Sequence, residues 1–244
     1  MAQIQVLIAG ESSTGKSKSL EFLAKGNPKS VAYLSAEAGK STPFKNNFTK
    51  LTSGISSPHE AVQFFQQVEE MDHIEYCVLD GFNYLMDMFE SQQKNGYDGW
   101  KDYAEFIKDF MQQTVGTSKK KWIIIAHNYK ELIDTGLYRY YVPIKGSASK
   151  IGLESYFNVV IYTVKLPLRK AKELIDQGKV DPELFFITED EEIEGVKYCF
   201  QVRSTADMAE GRIRSLSGMW NAKQIYINND AELLMKHLSA YYAD

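Results

Sequence analysis

Gly10-Glu11-Ser12-Ser13-Thr14-Gly15-Lys16-Ser17 decides the fold of this chain. It fits the spacing G-x-x-x-x-G-K-[ST]. Ile4-Gln5-Val6-Leu7-Ile8-Ala9 precedes it, with a strand's length and composition. Leu20-Glu21-Phe22-Leu23-Ala24 follows it and reads as the first turns of a helix. Strand, loop and helix form the context that this spacing requires. A triphosphate carries several negative charges, and one compact loop must surround them. Gly10 and Gly15 allow the close backbone approach that a Cβ blocks. The N–H groups of Glu11, Ser12, Ser13 and Thr14 point inward as an anion nest, and the following helix adds its positive end. Lys16 reaches the β- and γ-phosphates, Ser17 offers a hydroxyl to Mg²⁺, and Lys18 completes the phosphate-binding set.

The chain has 244 residues and 44 % hydrophobic content, which suits one α/β domain with a sizeable core. We read residues 1–165 as that core and 166–244 as an extension of it. No apolar run approaches the roughly 20 residues needed to cross a membrane. The first strand begins almost at once, leaving no room for a signal peptide, so a cytoplasmic location is expected. Cys77 and Cys199 sit in apolar runs and read as reduced core thiols. The four His and two Cys lack zinc-ligand spacing. A net charge of −4 argues against coating nucleic acid by bulk electrostatics, though not against a local basic groove. Lys119-Lys120-Lys121 and Lys165 to Lys172 are basic, and Glu189-Asp190-Glu191-Glu192 is acidic.

Apolar runs alternate with helical patterns, the mark of a mainly parallel sheet covered on both faces. Strands are predicted at Ile4 to Ala9, Val31 to Ser35, Tyr76 to Asp80, Trp122 to Ala126 and Val159 to Val164. Helices are predicted from Lys16 to Lys25, His59 to Glu70 and Gly99 to Gln113, where Tyr103, Phe106, Ile107, Phe110 and Met111 recur at helical spacing. Leu184 to Ile187 and Val196 to Val202 flank the acidic run and read as a hairpin. A last helix is predicted from Ala231 to Tyr241, capped by Asn229 or Asp230.

Hydrolysis of a bound nucleotide needs a carboxylate to organise metal and a group to activate water. Tyr76-Cys77-Val78-Leu79-Asp80 ends a buried strand in an Asp, so Asp80 is the candidate partner of Ser17 for Mg²⁺. Glu37 follows the second strand and is the candidate base for the attacking water. His127 ends the fourth strand and is the candidate γ-phosphate sensor, with Asn128 second.

The order of these elements resembles the RecA-like ATPases. Gly10 to Ser17 resembles their Walker A loop. Tyr33-Leu34-Ser35-Ala36-Glu37 resembles their second-strand motif, which ends in the catalytic Glu. More narrowly, the chain looks like the compact, core-only RecA-like ATPases of phages, of AAA-type and Sak-type single-strand annealing kind. His127, Gly96-Tyr97-Asp98-Gly99-Trp100, and Arg203-Ser204-Thr205 with Arg212 carry that narrower likeness. The resemblance covers residues 4 to 215. It implies a RecA-like P-loop fold with a C-terminal hairpin and helix extension. It further implies ATP and Mg²⁺, a homo-oligomeric ring or filament, single-stranded DNA, possible replication or recombination partner proteins, and host cytoplasm if phage-encoded. The loops after the third and fourth strands, Phe82 to Trp100 and Tyr129 to Lys150, would grip DNA. Arg139, Tyr140, Lys145 and Lys150 are the candidates there, since cations meet phosphates while rings stack on bases. Gly146-Ser147-Ala148-Ser149 would let the second loop move. Arg203, Arg212 and Arg214 are candidates to reach a nucleotide, the protein's own or a neighbour's, and Lys145 is another candidate acting from a neighbour. Two departures stand out. Only three residues precede the first strand, where larger recombinases carry a polymerising element, and Ser35 stands where they usually have Asp.

Two rivals remain. A small-molecule kinase shares the loop but needs an Arg-rich lid, and none is evident in the sequence. A nucleotide-switched adaptor would bind ATP to recruit a protein partner and barely hydrolyse it.

Overall fold

The computed structural model describes residues 3–37, 40–92, 97–134, 136–206 and 210–243. Ten strands occur among them, in chain order β1 (Gln5–Gly10), β2 (Val31–Ser35), β3 (Tyr76–Asp80), β4 (Lys121–His127), β5 (Tyr129–Leu132), β6 (Tyr138–Tyr141), β7 (Val159–Pro167), β8 (Val196–Gln201), β9 (Glu210–Gly211) and β10 (Tyr226–Asn228). Seven form one sheet in the order β10-β8-β7-β1-β4-β3-β2. The run from β7 to β2 is parallel, and β8 and β10 add an antiparallel margin beside β7. The architecture is α/β, with a mostly parallel sheet flanked by helices.

The parallel strands are buried on both faces, so they read as continuous apolar runs. Successive residues of β1 feed two cores. Leu7 and Ala9 face one with Phe65, Phe82, Phe110 and Trp122. Val6 and Ile8 face the other with Leu20, Leu23, Leu234 and Leu238. Helices α1 (Pro58–Glu69), α2 (Phe82–Gln92) and α3 (Tyr97–Asp109) cover the first core, and α3 runs on into a π-turn over Phe110–Val115. Short helices α4 (Ala148–Ile151), α5 (Leu168–Asp176) and α6 (Glu189–Glu194) follow, and α7 (Ala231–Tyr241) covers the second core. Ser57 caps α1, and Asp230 caps α7 by accepting from Glu232 N and Leu233 N.

Several expectations are corrected. The helix expected over Lys16 to Lys25 is one 3₁₀ turn, Lys18–Phe22. Leu23 leaves it with extended angles, and Ala24 adopts φ 51° while its N–H donates to Glu232 Oε2 at 2.8 Å. The backbone therefore turns away before an α-helix can propagate. The stretch after β3 is α2 rather than a loop, with Phe82, Leu85, Met86 and Phe89 buried along one face. Gly96 lies outside the described residues.

The expected loop from Tyr129 to Lys150 is the β5–β6 hairpin followed by α4, and β9 pairs with β6 to complete a three-stranded sheet. Ala148 and Ser149, expected in a mobile segment, begin α4. Leu184 to Ile187 is not a strand: Phe186 N donates to the Asn228 side chain at 3.0 Å, and the antiparallel partners of β8 are β7 and β10. The acidic run is α6, closed by a Thr188–Glu191 capping box.

A polar knot ties the small sheet to β7. Tyr162 Oη donates to Tyr140 O at 2.9 Å and accepts from Arg212 N at 3.2 Å. Buried Glu154 accepts from Val142 N at 2.7 Å and from Arg212 Nη1 at 2.9 Å. The Arg212 side chain is 36 % exposed, so water softens the loss of its charge. Arg212→Ala is expected to cost about 2 kcal/mol by leaving the Glu154 carboxylate unpaired, measured as a lower urea midpoint.

Candidate active site

The parallel strands end along one rim, where open α/β sheets place their ligands. Register sets Gly10 beside His127, Ser35 beside Asp80, and Asp80 beside Ile125. Because β4 runs between β1 and β3, His127 stands between the Gly10–Ser17 loop and Asp80.

The loop is tightly packed from below. A Cβ on Gly10 would lie 1.9 Å from Thr163 Oγ1. Gly15 has φ +90°, and a Cβ there would lie 2.4 Å from Asn229 Nδ2. Thr14 Oγ1 is 2.5 Å from Thr163 Oγ1, and Asn229 Nδ2 donates to Gly15 O at 2.9 Å. The single 3₁₀ turn that follows offers little aligned dipole.

Lys16 is only 8 % exposed. Its Nζ donates to Gly10 O at 2.9 Å and to Glu11 O at 2.7 Å, and lies 3.2 Å from His127 Nδ1. Burial lowers its pKa to about 8, against the pull of Asp80 and Glu37. Asp80 is buried, and burial raises its pKa although hydrogen bonds from Ser17 and Tyr33 oppose the shift. Tyr33 Oη donates to Asp80 Oδ2 at 3.0 Å.

Burial and then the Lys16 charge lower the His127 pKa, favouring the neutral ring. A neutral imidazole that accepts from Lys16 at Nδ1 carries its proton on Nε2. That nitrogen lies 3.9 Å from Glu37 Oε1. Asn83, in the first turn of α2, holds the strand end: it accepts from His127 N at 2.6 Å and donates to His127 O at 3.3 Å. Glu37 is also ion-paired with Lys40.

Lys16, Ser17, Tyr33, Glu37, Lys40, Asp80 and His127 line one cavity of about 860 Å³ with Ser12, Ser13 and Lys18. Lys18 pairs with Glu21 at 2.9 Å. Asn128 N donates to Gly10 O at 3.3 Å, so it supports the loop. The other candidates lie elsewhere. Arg212 holds Glu154, Arg203 Nη1 donates to Asn221 O at 2.6 Å, and Arg214 Nη1 donates to Ser155 O at 3.0 Å. Lys145 pairs with Glu90, Lys150 is exposed on α4, and Arg139 and Tyr140 are on β6. Tyr33, Lys40, Asn83 and Thr163 were not foreseen. Tyr33 and Thr163 sit inside apolar strand runs, and only cross-strand packing reveals their polar contacts.

Among the described residues, no three His, Cys, Asp or Glu side chains converge to hold a metal by themselves. None of the described helices is long and apolar enough to cross a membrane. A second cavity, about 810 Å³, borders α1 and the π-turn; Glu69, Glu70, Asp102, Glu105 and Asp109 line it without any Lys or Arg, which makes it unsuited to phosphate. No protein-family model matches the chain, and no curated protein matches it.

Burial of Lys16 has a consequence for stability. In the unfolded chain the amine keeps its proton to about pH 10.5, whereas in the folded protein it gives it up near pH 8. Between these values the unfolded state binds more protons, so this group makes stability rise with pH. Lys16→Met should abolish that rise. Thermal unfolding of both proteins at pH 7 and 9.5 reads this: the melting temperature of the wild type should gain on that of the variant as the pH rises.

Proposed function

We propose that this protein is a Mg²⁺-dependent RecA-like P-loop ATPase that acts on single-stranded DNA in recombination, annealing or replication. The observation that carries this reading is the meeting, at one rim, of the Lys16 loop, the Ser17–Asp80 pair and Glu37, with His127 between them. Ser17 and Asp80 offer the hard oxygen donors that suit Mg²⁺, which takes few protein ligands beside substrate phosphates. When bound, the ion neutralises charge on the β- and γ-phosphate oxygens.

In this reading the amides of Gly10 to Lys18 and the Lys16 ammonium hold the phosphates. Glu37 accepts a proton from the attacking water as its oxygen bonds the γ-phosphorus. The bond to the bridging oxygen breaks, its electron pair leaves with ADP, and inorganic phosphate is formed. His127 Nε2–H donates to the γ-phosphate and registers its loss.

The β5–β6 hairpin begins two residues after His127. Tyr129 is 61 % exposed and Tyr138 42 %, while Lys130 Nζ lies 4.0 Å above the Tyr138 ring. Exposed rings interleaved with Lys130 and Arg139 support binding of a single strand, with Tyr140, Lys145 and Lys150 beside them. Ring or filament assembly belongs to the same proposal.

The Lys40–Glu37 ion pair favours a second reading. A base held by a lysine suits an adaptor that binds ATP to recruit a protein partner and turns it over slowly.

Two outcomes separate these readings. Glu37→Gln should keep ATP affinity and lose about 100-fold or more in turnover, measured by phosphate release. Single-stranded DNA should stimulate wild-type turnover, and Lys130→Ala with Tyr138→Ala should weaken that stimulation while sparing DNA-independent hydrolysis. Slow turnover indifferent to DNA would establish the adaptor instead.

A further inference from the structure

The cavity does not stop at the Gly10–Ser17 loop. Its lining continues along β8 and the segment before α6, through Tyr198, Phe186, Thr188 and Asn229, and past the 3₁₀ turn at Phe22. In the sheet order, β8 lies two strands from β1 on the side away from Asp80 and Glu37. Two inter-strand steps are roughly 10 Å, a span that suits a ribose and base whose phosphates sit on the loop.

Two large apolar side chains line this end and face water: Phe22 is 43 % exposed and Phe186 is 48 % exposed. Lys25 Nζ lies 5.2 Å from the centre of the Phe22 ring, and Phe186 is held through its backbone. Phe186 N donates to Asn228 Oδ1 at 3.0 Å, and Asn228 N donates to Leu184 O at 2.7 Å, which fixes the backbone of Phe186 against β10. Tyr198 Cδ1 lies 3.4 Å from the position a Cβ on Gly15 would take, so this wall abuts the loop itself. Buried Asn229 Oδ1 has no hydrogen-bond partner among the described residues, while the amide's other end holds Gly15 O.

We infer that Phe186, Thr188, Tyr198 and Asn229 supply the nucleoside side of the cavity, with Phe186 and Phe22 as stacking surfaces for a purine base. This inference rests on the nucleotide reading above. It gives the antiparallel margin of the sheet a role in ligand recognition, and it accounts for two exposed phenylalanines at one cavity mouth. A stacked base shields an aromatic face from water and is sequestered in turn.

The test compares ATP with inorganic tripolyphosphate, both with Mg²⁺, by calorimetric titration. Wild-type protein should bind ATP more tightly than tripolyphosphate. Phe186→Ala should weaken ATP about tenfold and leave tripolyphosphate unchanged. Phe186→Trp should restore ATP affinity, and its fluorescence should be quenched as ATP binds. Equal wild-type affinity for the two ligands, or an unchanged ATP affinity in Phe186→Ala, would overturn the base wall and leave the phosphate reading intact. Binding of neither ligand to the wild type would overturn the phosphate reading itself.

Discussion

A positively charged amine that water scarcely reaches must be held by the protein, and the Lys16 ammonium is held by two carbonyl oxygens of its own loop. Much of the local structure answers to that requirement. Gly10 and Gly15 lack side chains, so the loop can close down on Thr163 and Asn229 and bring those carbonyls round the amine. Asp80 and Glu37 lie close enough to oppose the loss of its proton. His127, pushed toward neutrality by burial and by the same amine, offers a lone pair instead of a competing charge. Desolvation weakens a lysine's hold on its proton, and the neighbouring carboxylates recover part of it.

Sheet order decides which of these groups meet. With β4 between β1 and β3, the loop and Asp80 are separated by one strand whose last residue is His127. Asn83 fixes that residue through both of its backbone groups. On the opposite side of β1, β7 supplies Thr163 beneath the loop, and β8 and β10 carry the structure onward to Tyr198 and Asn229. The cavity therefore crosses the boundary between the parallel and antiparallel parts of the sheet.

The fold was legible where one physical signal dominated. Val31–Ser35 and Tyr76–Asp80 occupy their predicted bounds because strands buried on both faces are short, apolar and sharply delimited. Helix α7 kept its bounds because Asp230 caps it. Elsewhere a local pattern met a tertiary constraint. The turns after Ser17 were read as an α-helix, but a left-handed Ala24 held by Glu232, distant in sequence, ends them early. Phe82, Leu85, Met86 and Phe89 have the helical spacing of α2, whereas the family resemblance implies a loop there. That the loop, Asp80, Glu37 and His127 lie together was legible because each ends or follows a strand at one rim. Tyr33 was not, since a tyrosine within an apolar run reads as core until its hydroxyl is seen on Asp80. Arg212 reads in the sequence as a candidate nucleotide ligand, and its pairing with Glu154 is not legible there, because the two lie far apart in sequence.

The two cysteines are free, buried, and divided between the parts of the sheet. Cys77 lies in β3, within the parallel run, and Cys199 in β8, within the antiparallel margin. Burial raises both thiol pKa values, so neither is a ready thiolate in the closed protein. Alkylation of either one therefore waits on opening of the strand that holds it. The chain carries two native clocks of local unfolding, one in each part of the sheet, and their relative rates report whether the margin loosens before the centre does.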